Sequence, residues 1–234
     1  VGTTDGRPCW ADLAIVGDTP GVIAFYAAVL GWSFTDDDAA DHHVAVASAH
    51  GRRVAGLGAP DGSPPGWTLY FAVDDAADAA ERLEEAGGML LDGPDDDGRG
   101  GLVVVALDAG GAVVGLWEAD DPGDGPAWVE AASAEPGQTR TFYGTVLGHT
   151  HEPTDEPGTT TLHRDGPALG AVVFAGDALP HWLVHFGVPD VEAAAAAVGN
   201  AGGEVLEVPT TGAFGRRAVL ADPSGARFAV LERG

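Results

Sequence analysis

A chain of 234 residues with 45% hydrophobic residues has the apolar content of a folded protein, while 36 acidic side chains against 11 basic ones give it a formal charge of −25. No Lys occurs and Arg is sparse, so nothing could neutralise a run of phosphates, and nucleic acid is excluded as a partner. No apolar run approaches the roughly 20 residues that span a bilayer, so no membrane association is expected.

In chain order, residues 10–16 read as a strand. Asp18 then caps a helix that Pro20 starts and Gly31 ends, with Phe25 and Val29 sharing one face and Tyr26 and Leu30 another. Strands follow at 32–34, 43–47 and 54–57, with the acidic stretch 36–41 as a solvated loop and Gly51-Arg52 as a turn. The order then begins again. Residues 67–73 are a strand, Asp75 caps an Ala/Glu-rich helix that stops at Gly87-Gly88, and strands follow at 89–91, 102–107 and 112–117 with a turn at Asp108-Ala109-Gly110-Gly111.

Residues 120–126, rich in Asp, Gly and Pro, read as a linker. Beyond them come a strand at 128–133, a helix at 136–147, and strands at 149–151, 159–163 and 169–174. A strand at 182–188, an Asp190-capped run of Ala ending at Gly202-Gly203, and strands at 205–208, 217–221 and 227–231 complete the chain.

The second half repeats the first. Phe25-Tyr26-Ala27-Ala28-Val29-Leu30-Gly31 recurs as Phe142-Tyr143-Gly144-Thr145-Val146-Leu147-Gly148, Asp75 as Asp190, Ala86-Gly87-Gly88 as Ala201-Gly202-Gly203, and Asp108-x-x-Gly111 as Asp222-x-x-Gly225. Trp10, Trp67, Trp128 and Trp182 open four βαβββ units. The expected fold is α+β, as two tandem modules at 8–119 and 127–233 with curved mixed sheets and helices on the convex faces. Units of this length are too long and too few for a solenoid.

On these residues, together with Tyr70-Phe71-Ala72-Val73-Asp74-Asp75 and Leu220-Ala221-Asp222-Pro223-Ser224-Gly225, the chain resembles the vicinal oxygen chelate family. That family includes glyoxalase I, extradiol dioxygenases and bleomycin-binding resistance proteins. The likeness covers residues 8–233, and within the family it is nearest to two-module actinobacterial glyoxalase-like proteins. One fold of this kind hosts many chemistries.

The resemblance implies a divalent metal held by His and Glu on the concave faces, at the first strand, the fifth strand and the end of the eighth. In the first module these places fall on Ala11 or Asp12, on Thr68 and on Gly115; in the second they fall on Val129 or Glu130, on Leu183 and on Ala229. A catalytic metal generally needs three ligands from His, Asp or Glu. Each module offers at most one, so the family metal is expected to be lost and no cofactor is expected. His42, His43, His149, His151, His163, His181 and His185 could make a different metal site, His149 and His151 being two apart so that on a strand both would face one side; the alternative is surface or hydrogen-bonded imidazoles in polar loops.

Strand alternation, with Leu13 and Ile15 under the helices, turns Trp10, Asp12 and Ala14 to the first cavity, joined by Thr68, Tyr70, Gly115 and Trp117. The small Gly115 is expected to leave room for a guest. The second cavity would present Trp128, Glu130, His185 and Arg227. Such aromatic, acidic faces suit a flat aromatic or cationic ligand, although burying a Trp is itself worth about 1.5–3 kcal/mol and needs no ligand to explain it. Cys9 lies in an acidic neighbourhood that disfavours a thiolate, and neither a Gly-x-Ser-x-Gly elbow nor a P-loop occurs, so no catalytic residue is assigned.

The expectation is a metal-free, glyoxalase-like small-molecule-binding protein, sequestering an antibiotic or another aromatic or cationic metabolite. The competing expectation is an enzyme of the same superfamily: a lyase, an isomerase or a cofactor-free tailoring catalyst. One cysteine, no possible internal disulfide and no apolar leader in residues 1–7 suggest a cytoplasmic protein, acting as a monomer or homodimer.

Overall fold

Each helix begins where a short polar side chain or a proline forces it to. In the computed structural model, which describes residues 5–36, 44–58, 65–97, 101–119 and 125–233, α1 (Thr19–Leu30) is capped by Asp18, whose carboxylate accepts from the Gly21 N–H at 3.2 Å. The helices α2 (Ala76–Glu85) and α4 (Val191–Asn200) are capped in the same way by Asp75 and Asp190, each accepting a backbone N–H at 2.9 Å. Helix α3 (Pro136–Leu147) has no side-chain cap and starts on its proline. Gly31 and Gly148 end α1 and α3 in left-handed geometry.

The first half contributes strands β1 (Pro8–Ala14), β2 (Ser33–Thr35), β3 (Ala45–Ala49), β4 (Arg52–Gly58), β5 (Gly66–Ala72), β6 (Met89–Asp96), β7 (Leu102–Leu107) and β8 (Val113–Glu118). The second contributes β9 (Trp128–Ser133), β10 (Thr150–Pro153), β11 (Thr160–His163), β12 (Ala168–Phe174), β13 (His181–Val188), β14 (Glu204–Gly212), β15 (Gly215–Ala221) and β16 (Arg227–Glu232). They form two eight-stranded mixed sheets, ordered β2-β3-β4-β1-β5-β8-β7-β6 and β10-β11-β12-β9-β13-β16-β15-β14. The fold is therefore α+β, with the βαβββ unit used four times. No helix among the described residues is long and apolar enough to cross a membrane.

Two edge strands run further than the sequence suggests. β6 and β14 continue through Pro94 and Pro209 to Asp96 and Gly212, with register shifts at Leu90/Asp92 and Asp92/Asp95, and at Val205/Glu207 and Glu207/Thr210. Proline and polar residues read as loop, but an edge strand tolerates both because one side of its ladder is unpaired. The start of the strand expected at 43–47, most of the acidic loop and most of the linker lie outside the described residues.

Packing divides the chain into two compact units, each taking one βαβββ repeat from either half. The first consists of the described residues of 1–9, 68–122 and 129–182; the second consists of those of 10–67, 123–128 and 183–234. In the first unit Phe71 meets Tyr143, His149 and Trp182 at ring-centre distances of 5.9, 5.3 and 5.3 Å. In the second, Tyr26 lies against Trp32, Trp67 and Phe228 at 5.6, 5.5 and 5.3 Å.

At the centre of each unit the same polar relay is satisfied inside an apolar core. The Trp182 indole N–H donates to the Tyr143 hydroxyl at 2.8 Å, and that hydroxyl donates to Asp108 Oδ2 at 2.9 Å. In the second unit Trp67 donates to Tyr26 at 3.1 Å, and Tyr26 donates to Asp222 Oδ2 at 3.1 Å. The other carboxylate oxygen holds the turn between the last two strands of a repeat, Asp108 Oδ1 accepting from Gly110 and Ala112 and Asp222 Oδ1 from Ser224 and Ala226. Burial, and secondarily the adjacent Asp, raises both phenols well above their ordinary range, so both remain protonated donors.

The segment before β1 is fastened to the first unit. Gly6 donates to the Ala72 carbonyl at 2.7 Å and accepts from His149 Nε2 at 2.6 Å, while Arg164 pairs with Asp5 at 2.9 Å. Gly6 has a φ of 75°, and a Cβ there would lie 2.5 Å from the Leu147 carbonyl oxygen, so only glycine fits.

Candidate ligand-binding faces

In the first unit strand register places several of the candidate site residues on one face. In the first unit Leu69, Phe71 and Val73 are buried on the helix side. The parallel pairing of β5 with β8 sets Tyr70 beside Gly115 and Ala72 beside Trp117, so Thr68, Tyr70, Gly115 and Trp117 share the opposite face.

The space above Gly115 is taken by protein. A Cβ on Gly115 would stand 2.1 Å from Cδ1 of the Tyr70 ring and 2.6 Å from its Cγ. Gly115 therefore makes room for Tyr70, where the sequence suggested room for a guest. The Trp117 indole N–H is also engaged, donating to Asp97 Oδ2 at 2.9 Å. Thr68 is half-buried. Glu130 is 5% exposed and lies opposite Ala171 in the β9–β12 ladder.

The remaining predicted residues belong to the second unit. Trp10 is buried and donates its indole N–H to Asp12 Oδ1 at 2.6 Å, with Asp12 opposite Gly56 on β4. His185 is fully buried opposite Ala229. Arg227 is exposed at the start of β16. Leu183, Val219 and Ala229 pack together as an apolar cluster.

Trp128 differs from Trp10 and Trp117. It is only 6% exposed, yet its Nε1 has no hydrogen-bond partner among the described residues, and a buried donor left unmatched costs about 1–3 kcal/mol. Its ring lies 4.7 Å from that of Phe214, tilted by 33°. Phe214 was not expected as a site residue. The signal was present, since an aromatic residue between Gly212 and Gly215 at a hairpin tip has no local reason to be apolar.

The family metal can be tested against these side chains. Two of its positions in the second half, Leu183 and Ala229, lie in the apolar cluster with Val219, and in the first half Tyr70 occupies the volume any side chain at 115 would need. Thr68 is a poor metal ligand. Among the described residues no three His, Cys, Asp or Glu side chains converge to hold a metal ion. The residues at the positions that the resemblance assigns to the metal are therefore poor ligands for it.

His42 and His43 lie outside the described residues, and His149 is part of a packed core instead. His149 stacks on Tyr143 at 6.0 Å, and burial pulls its pKa down to about 4, so it is neutral at pH 7. His151 is also lowered, by burial first and then by Arg140. His163 is hydrogen-bonded to Thr161 Oγ1 and the Gly166 carbonyl oxygen. Cys9 is buried with its thiol 3.4 Å from the Tyr70 carbonyl oxygen, which suits packing rather than nucleophilic attack.

Comparison with known proteins follows this architecture. A profile described as "Glyoxalase/Bleomycin resistance protein/Dioxygenase superfamily" matches residues 12–116, and one described as "Glyoxalase-like domain" matches residues 128–231. The Mycobacterium tuberculosis protein named "Putative glyoxylase CFP32" is 32% identical over 256 residues, covering 97% of this chain and 95% of its own. The "Anthracycline biosynthesis protein DnrV" of Streptomyces peucetius is 32% identical over 261 residues, covering 97% and 93%.

Among solved structures, the Mn(II)-bound glyoxalase of Novosphingobium aromaticivorans superposes with a TM-score of 0.72 at 16% identity, covering 98% of this chain and 82% of the other. The 2,3-dioxygenase LapB of Pseudomonas sp. KL28 gives 0.68 at 18% identity, covering 99% and 93%. At such identities the structural likeness speaks for the fold alone.

Proposed function

The chain belongs to the Glyoxalase/Bleomycin resistance protein/Dioxygenase superfamily, and from that premise we propose that it is a metal-independent binder of small, flat, aromatic or cationic molecules. The observation that supports this reading is what fills the positions that the resemblance assigns to the metal, with Tyr70 lying over Gly115 and Leu183 and Ala229 joined in an apolar cluster. Positions filled this way give no grip to a cation of the Mn²⁺ or Fe²⁺ type, and the rings of Trp128 and Phe214 suit an organic guest. The charge of −25 adds a long-range attraction for cationic ligands that salt would screen.

Relatives named for anthracycline biosynthesis cover nearly the whole chain at 32% identity, which supports an aromatic, polycyclic ligand. Calorimetric titration with an anthracycline and with unrelated planar cations, in buffer containing a chelator, tests the proposal. Saturable binding is the expected result, and absence of binding by every compound would refute it. The same relatives favour a second reading, cofactor-free tailoring of such a compound. Chromatography of the incubated ligand separates the two: recovery of unchanged ligand supports binding, and a new product supports tailoring.

A further inference from the structure

From the contrast between the two halves, and resting on the ligand-binding reading above, we infer that the ligand seat lies on the second half's sheet face at Trp128. We infer further that it takes a planar aromatic molecule bearing a carbonyl or quinone oxygen. In the first half every indole N–H on the corresponding face is already matched, Trp10 by Asp12 and Trp117 by Asp97. Tyr70 fills the space beside Gly115.

The second half departs from this at the position that repeats Trp10. Trp128 is buried like its counterpart, but its Nε1 has no acceptor among the described residues. An indole N–H can only donate, so the group that completes it must be an acceptor, such as a carbonyl oxygen. The backbone beside it is fixed, because Ala127 donates to the His185 carbonyl at 2.9 Å and ties this segment to β13. Phe214, from the β14–β15 hairpin, lies 4.7 Å from the indole ring and adds a second aromatic surface.

Elsewhere on the same sheet Leu183, Val219 and Ala229 pack together as a buried apolar cluster. A donor carried on one ring with a second ring beside it matches a flat ring system with one acceptor oxygen at its edge. It does not match a sugar, a phosphate or a polyanion, which would need several donors or cations.

The test uses the full chain, an aminoanthraquinone and the matching aminoanthracene without ring oxygens, with binding read by calorimetry. We expect one equivalent of the quinone per chain, roughly tenfold weaker binding of the oxygen-free analogue, a similar loss in Trp128→Phe, and no change in Trp10→Phe. Equal affinity for the two compounds overturns the inference, and this comparison needs only the wild-type chain should Trp128→Phe fail to fold. Two equivalents per chain, or a loss in Trp10→Phe with none in Trp128→Phe, also overturns it while leaving the ligand-binding reading intact. No binding of either compound, or of any other planar aromatic, removes both.

Discussion

Tyr26 and Tyr143 show how one hydroxyl can join two ends of a core. Each accepts from an indole and donates to a carboxylate at a buried position. Tyr143→Phe removes both bonds and leaves the Trp182 N–H and Asp108 Oδ2 without this partner, so it should cost about 1–3 kcal/mol in urea denaturation, and Tyr26→Phe should cost a similar amount. Because each phenol's folded pKa is raised above the ordinary 10.0, its contribution is complete below pH 10 and is lost as pH rises further. Alkaline titration followed at the tyrosinate absorbance should show two tyrosines ionising only as the fold opens.

His149 works in the opposite pH range. Its pKa falls from 6.5 in the open chain to about 4 in the fold, so the unfolded chain binds the extra proton over that interval. Stability is full above pH 6.5 and declines as pH falls towards 4, by about 3 kcal/mol at most. His149→Gln should flatten stability against pH across this window, and an unchanged slope would show that another group carries it.

At the scale of elements, Asp75 and Asp108 separate a cap from a joint. Asp75→Ala should cost about 1 kcal/mol, the usual loss for a helix cap, whereas Asp108→Ala removes the turn contacts to Gly110 and Ala112 as well as the acceptor for Tyr143. It should cost at least twice as much by thermal denaturation. The helices were legible in the sequence because caps, prolines and terminal glycines are local signals. The lengths of β6 and β14 were not, because only sheet position makes Pro94 and Pro209 acceptable.

The candidate site was legible to a similar depth. Alternation identified which residues share a face, and the register of Tyr70 with Gly115 and of His185 with Ala229 agrees with it. What alternation could not supply is where a side chain leans. The Tyr70 ring over Gly115, the Asp12 and Asp97 carboxylates on their indoles, and the unmatched Trp128 all depend on rotamers and on loops distant in sequence.

For the whole molecule, the division of the core matters more than the division of the sequence. The sheets follow the two halves, but each compact unit draws one repeat from either half, and each Trp–Tyr–Asp relay joins residues from both. Residues 1–119 and 120–234 produced separately should each lack cooperative unfolding and regain it when mixed, as followed by near-ultraviolet circular dichroism. Independent cooperative folding of either piece would contradict this account of the core.

The central claim is that organic ligands are bound without a metal, and it is tested most directly by elemental analysis of protein purified without chelator, paired with ligand titration before and after dialysis against one. The account predicts less than a tenth of an equivalent of any transition metal per chain and an unchanged affinity after dialysis. One equivalent of manganese, iron, nickel or zinc, with ligand binding lost on its removal, would contradict it.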